Sequence, residues 1–243
     1  MDLAKRKDGG AVAEVEELAA EAGVTVERAD KHQLNMMCDN KPHQGIVMLC
    51  EPLEFAPLQK LPPPNDDGTE GADAPLWLAL DEVTDPQNLG ALLRSAFFLG
   101  ASGVLVSAKN SAPLTPVVSK ASAGAMELME VHAARNLPRT LDEAREAGWQ
   151  VVGAALEKSI EPHEVDARRP TVLVLGSEGR GLRTNVMRAC DTLVRVPRGM
   201  EPLAGADAAD AAAEGEMVDS LNVSVAGGIL LYALLANRPQ VGV

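Results

Sequence analysis

Aromatic side chains are nearly absent from this chain: three Phe, two Trp and one Tyr make up 2% of its 243 residues. Yet 46% of the residues are hydrophobic. The core must therefore be built from Val, Leu, Ala and Met, the composition of a parallel sheet covered by helices. Cysteine is also scarce. Cys38, Cys50 and Cys190 lie far apart and form no CxxC pair, so neither a disulfide framework nor a cysteine zinc site is suggested. Buried free thiols in a reducing compartment are the expected state. No run of eighteen apolar residues is present, so no membrane span is expected. His32, His43, His132 and His163 show no metal-like spacing, and no metal is expected. Basic residues are outnumbered, 22 Lys and Arg against 35 Asp and Glu, for a net charge of −13. That balance counts against a protein that grips nucleic acid through general electrostatics.

The charge is unevenly placed. Gly199 to Asp219 holds six acids (Glu201, Asp207, Asp210, Glu214, Glu216, Asp219) and no base. Arg168, Arg169, Arg180, Arg183, Arg188, Arg195 and Arg198 crowd the stretch before it. Local fields of this kind matter more than the sum.

Composition divides the chain. Residues 1–55 read as a small separate α/β piece. Val12 to Ala22 predicts an amphipathic helix ending at Gly23. Val24–Val26 and Ile46–Leu49 predict strands, and Asp30 is placed to cap a helix through Cys38. Residues 56–75, with Pro62-Pro63-Pro64, have a linker composition. The main domain, 76–243, alternates strands with helices, and this predicts a parallel sheet with helices on both faces. Strands are expected at Leu76–Leu80, Val104–Val106, Val151–Ala155, Val172–Leu175 and Leu193–Val196. Helices are expected at Asn88–Leu99, Thr115–Met129, Leu141–Ala147, Thr184–Cys190 and Val223–Ala236. The Ala/Asp/Glu/Gly stretch 199–219 interrupts the domain and cannot bury much apolar surface.

Small or amide-bearing residues cluster where strands feed helices, the place where open α/β sheets bind ligands. The first cluster is Asp85-Pro-Gln-Asn88-Leu-Gly90 with Arg94. Asn88 suits a helix cap. Arg94 lies about 120° around the helix from it, at ~100° per residue. The plain reading is a cap and an exposed arginine. The second cluster is Gly176-Ser-Glu-Gly-Arg-Gly181, after the apolar strand ending at Leu175. Its G-x-x-G-x-G spacing is neither a dinucleotide fingerprint nor a P-loop, so NAD and ATP lose support. Glu178 reads simply as a carboxylate complementing a helix dipole. The third is Ser220-Leu-Asn222-Val-Ser-Val-Ala226-Gly-Gly228. Ser220 can cap the last helix. Asn222 then falls in its first turn, where Asn is a poor choice.

Together these clusters resemble the three motifs of the SpoU/TrmH (SPOUT) family, the knotted RNA 2′-O-ribose methyltransferases, from about Leu76 to about Asn237. The stretch Asn110-Ser-Ala-Pro-Leu-Thr-Pro-Val-Val-Ser-Lys120-Ala-Ser-Ala-Gly-Ala-Met-Glu127 resembles the mitochondrial large-subunit rRNA members of that family. The resemblance implies a deep trefoil knot near the C-terminus, where physics alone would give an unknotted doubly wound fold. It implies S-adenosylmethionine as cofactor, rRNA as partner, a homodimer and a mitochondrial location. The product implied is 2′-O-methylguanosine. Asn88, Arg94, Glu178, Ser220 and Asn222 match its catalytic positions, with Arg94 assigned to the substrate phosphate and to removal of the 2′-hydroxyl proton. A guanidinium stays protonated in proteins, so a base role needs unusual desolvation or help from the RNA phosphate. Leu175, Gly176, Gly179, Val196, Leu221 and Ala226 match positions around the cofactor.

The family places a ribosomal-protein L30-like RNA-binding domain before such a linker. Residues 1–55 are short for that domain, so its first strand and helix are expected to be missing, as is a transit peptide. The sequence departs from the family in having Arg198 where Met is usual, and in the 199–219 insertion. The rival expectation is a catalytically weak RNA-binding or ribosome-assembly factor on the same fold, favoured by the acidity.

Overall fold

The computed structural model describes residues 9–64, 74–197 and 220–236. The chain divides into two compact units, Met1–Glu51 and Pro52–Val243. Among its described residues the first unit contains helices α1 (Gly9–Glu21) and α2 (Lys31–Met37). Asp30 caps α2 as expected. Its carboxylate accepts from the Gln33 amide at 2.8 Å, and the Gln33 side chain accepts from the Asp30 amide at 2.8 Å, a reciprocal capping box. Val24–Val26 and Ile46–Leu49, expected as strands, form none. No described segment of this unit offers either of them a paired edge, and the Val24 amide donates instead to the Ala19 carbonyl at 2.8 Å, at the end of α1. None of its described residues is buried, and Met36, Met48 and Leu49 are exposed.

The second unit is built on a seven-stranded sheet in which every pairing is parallel. In chain order the strands are β1 (Ala56–Pro57), β2 (Leu76–Asp81), β3 (Gly103–Ser107), β4 (Val131–Ala134), β5 (Gln150–Ala154), β6 (Thr171–Gly176) and β7 (Thr192–Val194). Their spatial order is β1-β4-β3-β2-β6-β5-β7. The chain builds outward from β2 through β3 to β4, then crosses to the other side of β2 to add β5, β6 and β7. The switch point therefore lies between β2 and β6, whose last residues, Asp81 and Gly176, are register partners. Ligands in open parallel sheets bind at the carboxyl ends of strands flanking such a point.

Alternation along β2 divides the core into two layers. Leu76, Leu78 and Leu80 join a cluster with Leu89, Leu92 and Leu93 of α3 (Pro86–Leu99), Val118 of α4 (Pro116–Ser122) and Leu230, Leu231 and Leu234 of the last helix. Trp77 and Ala79 join the other, with Leu137 and Leu141 of α6 (Leu137–Glu146) and Val186 of α7 (Thr184–Arg188). Helices thus cover both faces. Part of the Pro-rich stretch also packs here: β1 pairs with β4, Leu61 is buried, and the Trp149 indole donates to the Pro62 carbonyl at 3.0 Å.

Three element readings change. The single helix expected at Thr115–Met129 is broken into α4 and α5 (Ala125–Leu128). Ala123 and Gly124 between them adopt φ of 52° and 96°, a left-handed pair that no helix continues through. β1 and β4 were not anticipated, being short and without an apolar run. The last helix, α8 (Val223–Ala236), has the bounds expected. No described helix is long and apolar enough to cross a membrane. Residues 198–219, which include Arg198 and the acidic insertion, lie outside the described residues, as does part of the C-terminal stretch in which the knot is expected.

Candidate active site

The first two clusters follow β2 and β6, and so meet at the switch point. α3 is capped by Asp85, not by Asn88. The Asp85 carboxylate accepts from the Gln87 amide at 2.8 Å, and Pro86 occupies the first turn, where its fixed φ favours the helix and its missing N–H costs nothing. Asn88, one turn in, is therefore free of capping and is only 7% exposed. Its Nδ2 donates to Glu178 Oε1, and to Asp85 Oδ2 at 3.4 Å. Its Oδ1 accepts from Asn222 Nδ2 at 3.1 Å. Carboxylates only accept, so Glu178 and Asp85 fix which end of this amide faces them.

Glu178 does not stand at a helix N-terminus, as its plain reading supposed. It sits near the tip of a closed loop. The Ser177 amide donates to the Gly181 carbonyl at 3.2 Å, and the Gly181 amide returns to Ser177 at 2.9 Å. The closure depends on glycine twice. Gly181 has φ of 63°. A Cβ on Gly176 would lie 2.1 Å from the Gly181 carbonyl carbon, so the loop could not fold back over a side chain at that position.

Asn222 is the cap of α8, not a residue of its first turn. Its Oδ1 accepts from the Ser224 amide at 2.9 Å and from Ser224 Oγ at 2.6 Å. This leaves its Nδ2 to reach Asn88, and it removes the misfit of an interior Asn. Ser220 is exposed and lies outside the helix. Three segments far apart in sequence thus converge on one amide: Asn88 takes Glu178 on one side and Asn222 on the other. Arg94 is exposed on α3 and makes no hydrogen bond or ion pair among the described residues; it is not joined to the three.

Of the expected cofactor residues, Leu175 is buried beneath Gly227, whose missing Cβ would lie 2.6 Å from Leu175 Cδ1. Only its backbone can serve a ligand. Gly176 ends β6. Gly179 has open space where a Cβ would stand. Val196 and Ala226 are half-buried, and Leu221, next to Asn222, is 48% exposed. These residues fit a mixed apolar and polar ligand: an open glycine loop at a strand end supplies backbone groups, and Leu221 supplies apolar surface. No described group of His, Cys, Asp or Glu could hold a metal ion.

Sequence reasoning missed the residues beneath the loop. Asp81, fully buried, binds Arg183, which also meets Glu82 at 3.1 Å. Arg168 is likewise paired with Asp166, and Arg195 donates to the Ser159 carbonyl. The basic run is therefore partly spent on internal partners, and its field is weaker than the sequence suggested. The signal available was an Asp ending an apolar strand, where a buried carboxylate requires a cation.

Profiles of known families agree with this geometry. The SpoU rRNA Methylase family matches residues 75–202, and a profile described as RNA 2′-O ribose methyltransferase substrate binding matches residues 3–56. The chain is 38% identical to the mitochondrial rRNA methyltransferase 1 of Homo sapiens, over 94% of this chain and 64% of that protein. It therefore spans less than two thirds of the human protein's length. It is also 38% identical to the 23S rRNA (guanosine-2′-O-)-methyltransferase RlmB of Pseudomonas syringae, over 97% of this chain and 86% of that one. Among solved structures it resembles the SpoU methyltransferase AviRb of Streptomyces viridochromogenes in complex with AdoMet, with 25% identity and a TM-score of 0.56, over 72% of this chain and 65% of that one. The chain belongs to the SpoU rRNA methylase family.

Proposed function

We propose that this protein transfers a methyl group from S-adenosylmethionine to a ribose 2′-hydroxyl of large-subunit rRNA, a guanosine of the mitochondrial ribosome. The observation that carries the reading is the convergence of Asn88, Glu178 and Asn222 from three separate segments. The cofactor, when bound, supplies an electrophilic methyl on a sulfonium sulfur, held by the backbone around Gly176, Gly179 and Val196 and by Leu221 and Ala226.

The chain's own residues then have separable tasks. Glu178 and Asn222 fix the Asn88 amide, so that this polar group is in place before substrate arrives. Such preorganisation costs nothing at the moment of reaction. Arg94, exposed and unpaired among the described residues, binds the phosphate beside the target ribose. The guanidinium, which stays protonated, also favours the negative charge that develops on the 2′-oxygen as its proton passes to a phosphate oxygen or to water. Ser220 lines the approach next to Asn222. Residues 1–55 act as a substrate-binding piece, 56–75 connect it, and 76–243 form the methyltransferase domain.

The rival is a ribosome-assembly factor with little turnover, favoured by the net charge of −13. The test is to incubate purified protein with methyl-labelled S-adenosylmethionine and a large-subunit rRNA transcript or subunit, then digest the RNA to nucleosides. Label in 2′-O-methylguanosine is expected. RNA binding without any cofactor binding in a titration would favour the assembly factor.

A further inference from the structure

Beneath the Glu178 loop lies a charged pair that the reaction just proposed does not use. Asp81, the last residue of β2, is 0% exposed. Both its oxygens are engaged by one residue. Oδ1 accepts from Arg183 Nε at 2.8 Å and Nη2 at 2.6 Å, and Oδ2 accepts from the Arg183 backbone amide at 2.9 Å. Arg183 Nη1 reaches Glu82 Oε1 at 3.1 Å, and that oxygen also accepts from Asn110 Nδ2 at 3.0 Å. Glu82 and Asn110 both hold φ of 58°, a conformation that non-glycine residues keep only when their surroundings enforce it.

We propose that Arg183 and Asp81 are positioning residues that deliver Glu178 to Asn88; the inference rests on the methyltransferase reading above. The argument is geometric. The loop leaves the sheet at Gly176, whose register partner is Asp81. It returns at Arg183, whose amide and guanidinium both end on the Asp81 carboxylate. Both ends of the loop are thus pinned to one residue, and the Ser177–Gly181 hydrogen bonds close it in between. The other arm of the Asn88–Glu178 contact also starts at Asp81, because the turn into α3 follows it directly. One buried carboxylate is therefore common to both sides of the contact. A carboxylate so buried requires a full cation, and the hydrogen bond that Arg183 donates to Asp81 is the main cause that holds its guanidinium above its ordinary pKa. A lysine would keep the charge but lose the fork that fixes direction.

The test is a cycle of Arg183→Lys with Glu178→Ala in the full chain, read by single-turnover rate. Arg183→Lys alone should slow turnover about 10- to 100-fold, the scale of a loss through misplacement. In the Glu178→Ala background it should add nothing. If the two losses multiply, or if Arg183→Lys turns over normally while Glu178→Ala is slow, the inference is overturned and the methyltransferase reading stands. If Glu178→Ala itself turns over normally, the role of Glu178 falls and this inference falls with it. An activity-free readout accompanies the cycle. The side-chain amide resonance of Asn88 should move in the same direction in Arg183→Lys as in Glu178→Ala, and an unmoved resonance in Arg183→Lys overturns the inference. Should Arg183→Lys fail to fold, Asp81→Asn enters the same cycle with the same expectations.

Discussion

At the scale of single residues, the site depends on which polar groups are spent on structure and which are left over. Asp85 caps α3, which releases Asn88. Asn222 caps α8 through one end of its amide and holds Asn88 with the other. Arg183 is consumed by Asp81, whereas Arg94 has no partner among the described residues. This division predicts the behaviour of Arg94→Ala. Methyl transfer should be abolished while S-adenosylmethionine affinity stays within about tenfold, about 1.4 kcal/mol, because the partner proposed for Arg94 is the RNA phosphate, not the cofactor. Turnover near normal, measured with labelled cofactor, would remove it from the reaction. The identities of these residues were legible through their motifs. Which of Asp85 and Asn88 capped the helix was not, because both are good caps; Pro86 at the first turn decided it.

The cysteines divide on the same principle. The expectation of buried thiols fails for Cys50, which is exposed. Cys190 is different: burial, and then the nearby Asp191, push its thiol up to about 12. At pH 8 a maleimide should label Cys50 quickly and Cys190 only after unfolding, as seen by mass spectrometry of the labelled peptides. The sign for stability follows. The folded state favours the protonated thiol, so its contribution is complete below the ordinary value of about 9 and is lost as pH rises towards 12. A Cys190→Ala variant should therefore show a flatter loss of stability over that window.

At the scale of elements, strands and helices with long apolar periods were legible, and short ones were not. β2, β6 and α8 stand close to where the pattern put them. β4 was missed because Val131-His-Ala-Ala134 has no run to announce it. It is a strand because β1 and β3 flank it, and its His132 ring lies 5.4 Å from the Trp77 ring. The two strands expected in the first unit share the opposite fault: apolar residues were present, but no partner strand was, among the described residues. The α4/α5 break was legible in principle at Gly124, whose φ of 96° suits glycine. The packing of α4 on α3 is fixed by a second glycine. A Cβ on Gly90 would lie 2.5 Å from Ala121 Cβ and 2.7 Å from the Val118 carbonyl. A carbonyl in a helix cannot swing aside as a side-chain end can. Gly90→Val should therefore destabilise the domain by about 1–3 kcal/mol or more, the usual cost of overpacking. Urea unfolding would detect this, and an unchanged midpoint would show that α4 is free to retreat.

At the scale of the whole molecule, the order of the strands places the chemistry. A sheet that builds outward from β2 and then adds β6 on its other side leaves one crevice at the strand ends, and the motifs after those two strands fall into it. Alternation of strand and helix announced a parallel sheet, but the strand order was not legible from the sequence.

The last helix carries the remaining consequence. The small residues of α8 are used for close packing within the chain. A Cβ on Gly227 would lie 2.4 Å from Leu92 Cδ2, and Gly228 faces Ser95 of the same helix, α3. What is left uncovered is the other side. Val225, Ile229 and Tyr232 recur at helical spacing along α8 and, with Leu221 just before its cap, are 41–63% exposed, and Phe98 of α3 is 85% exposed. In a chain with only one Tyr and three Phe, large side chains left in water are conspicuous. An exposed apolar stripe along a helix is a candidate interaction surface. A second copy of the chain, pairing face to face about a two-fold axis, would cover it without any further partner. We expect a dimer at micromolar concentration by light scattering. Val225→Glu, which buries a charge at the centre of that face, should convert it to monomer without loss of helical signal. A wild-type chain that is cleanly monomeric, or a Val225→Glu variant that stays dimeric, would show that this face of α8 is not where two copies meet.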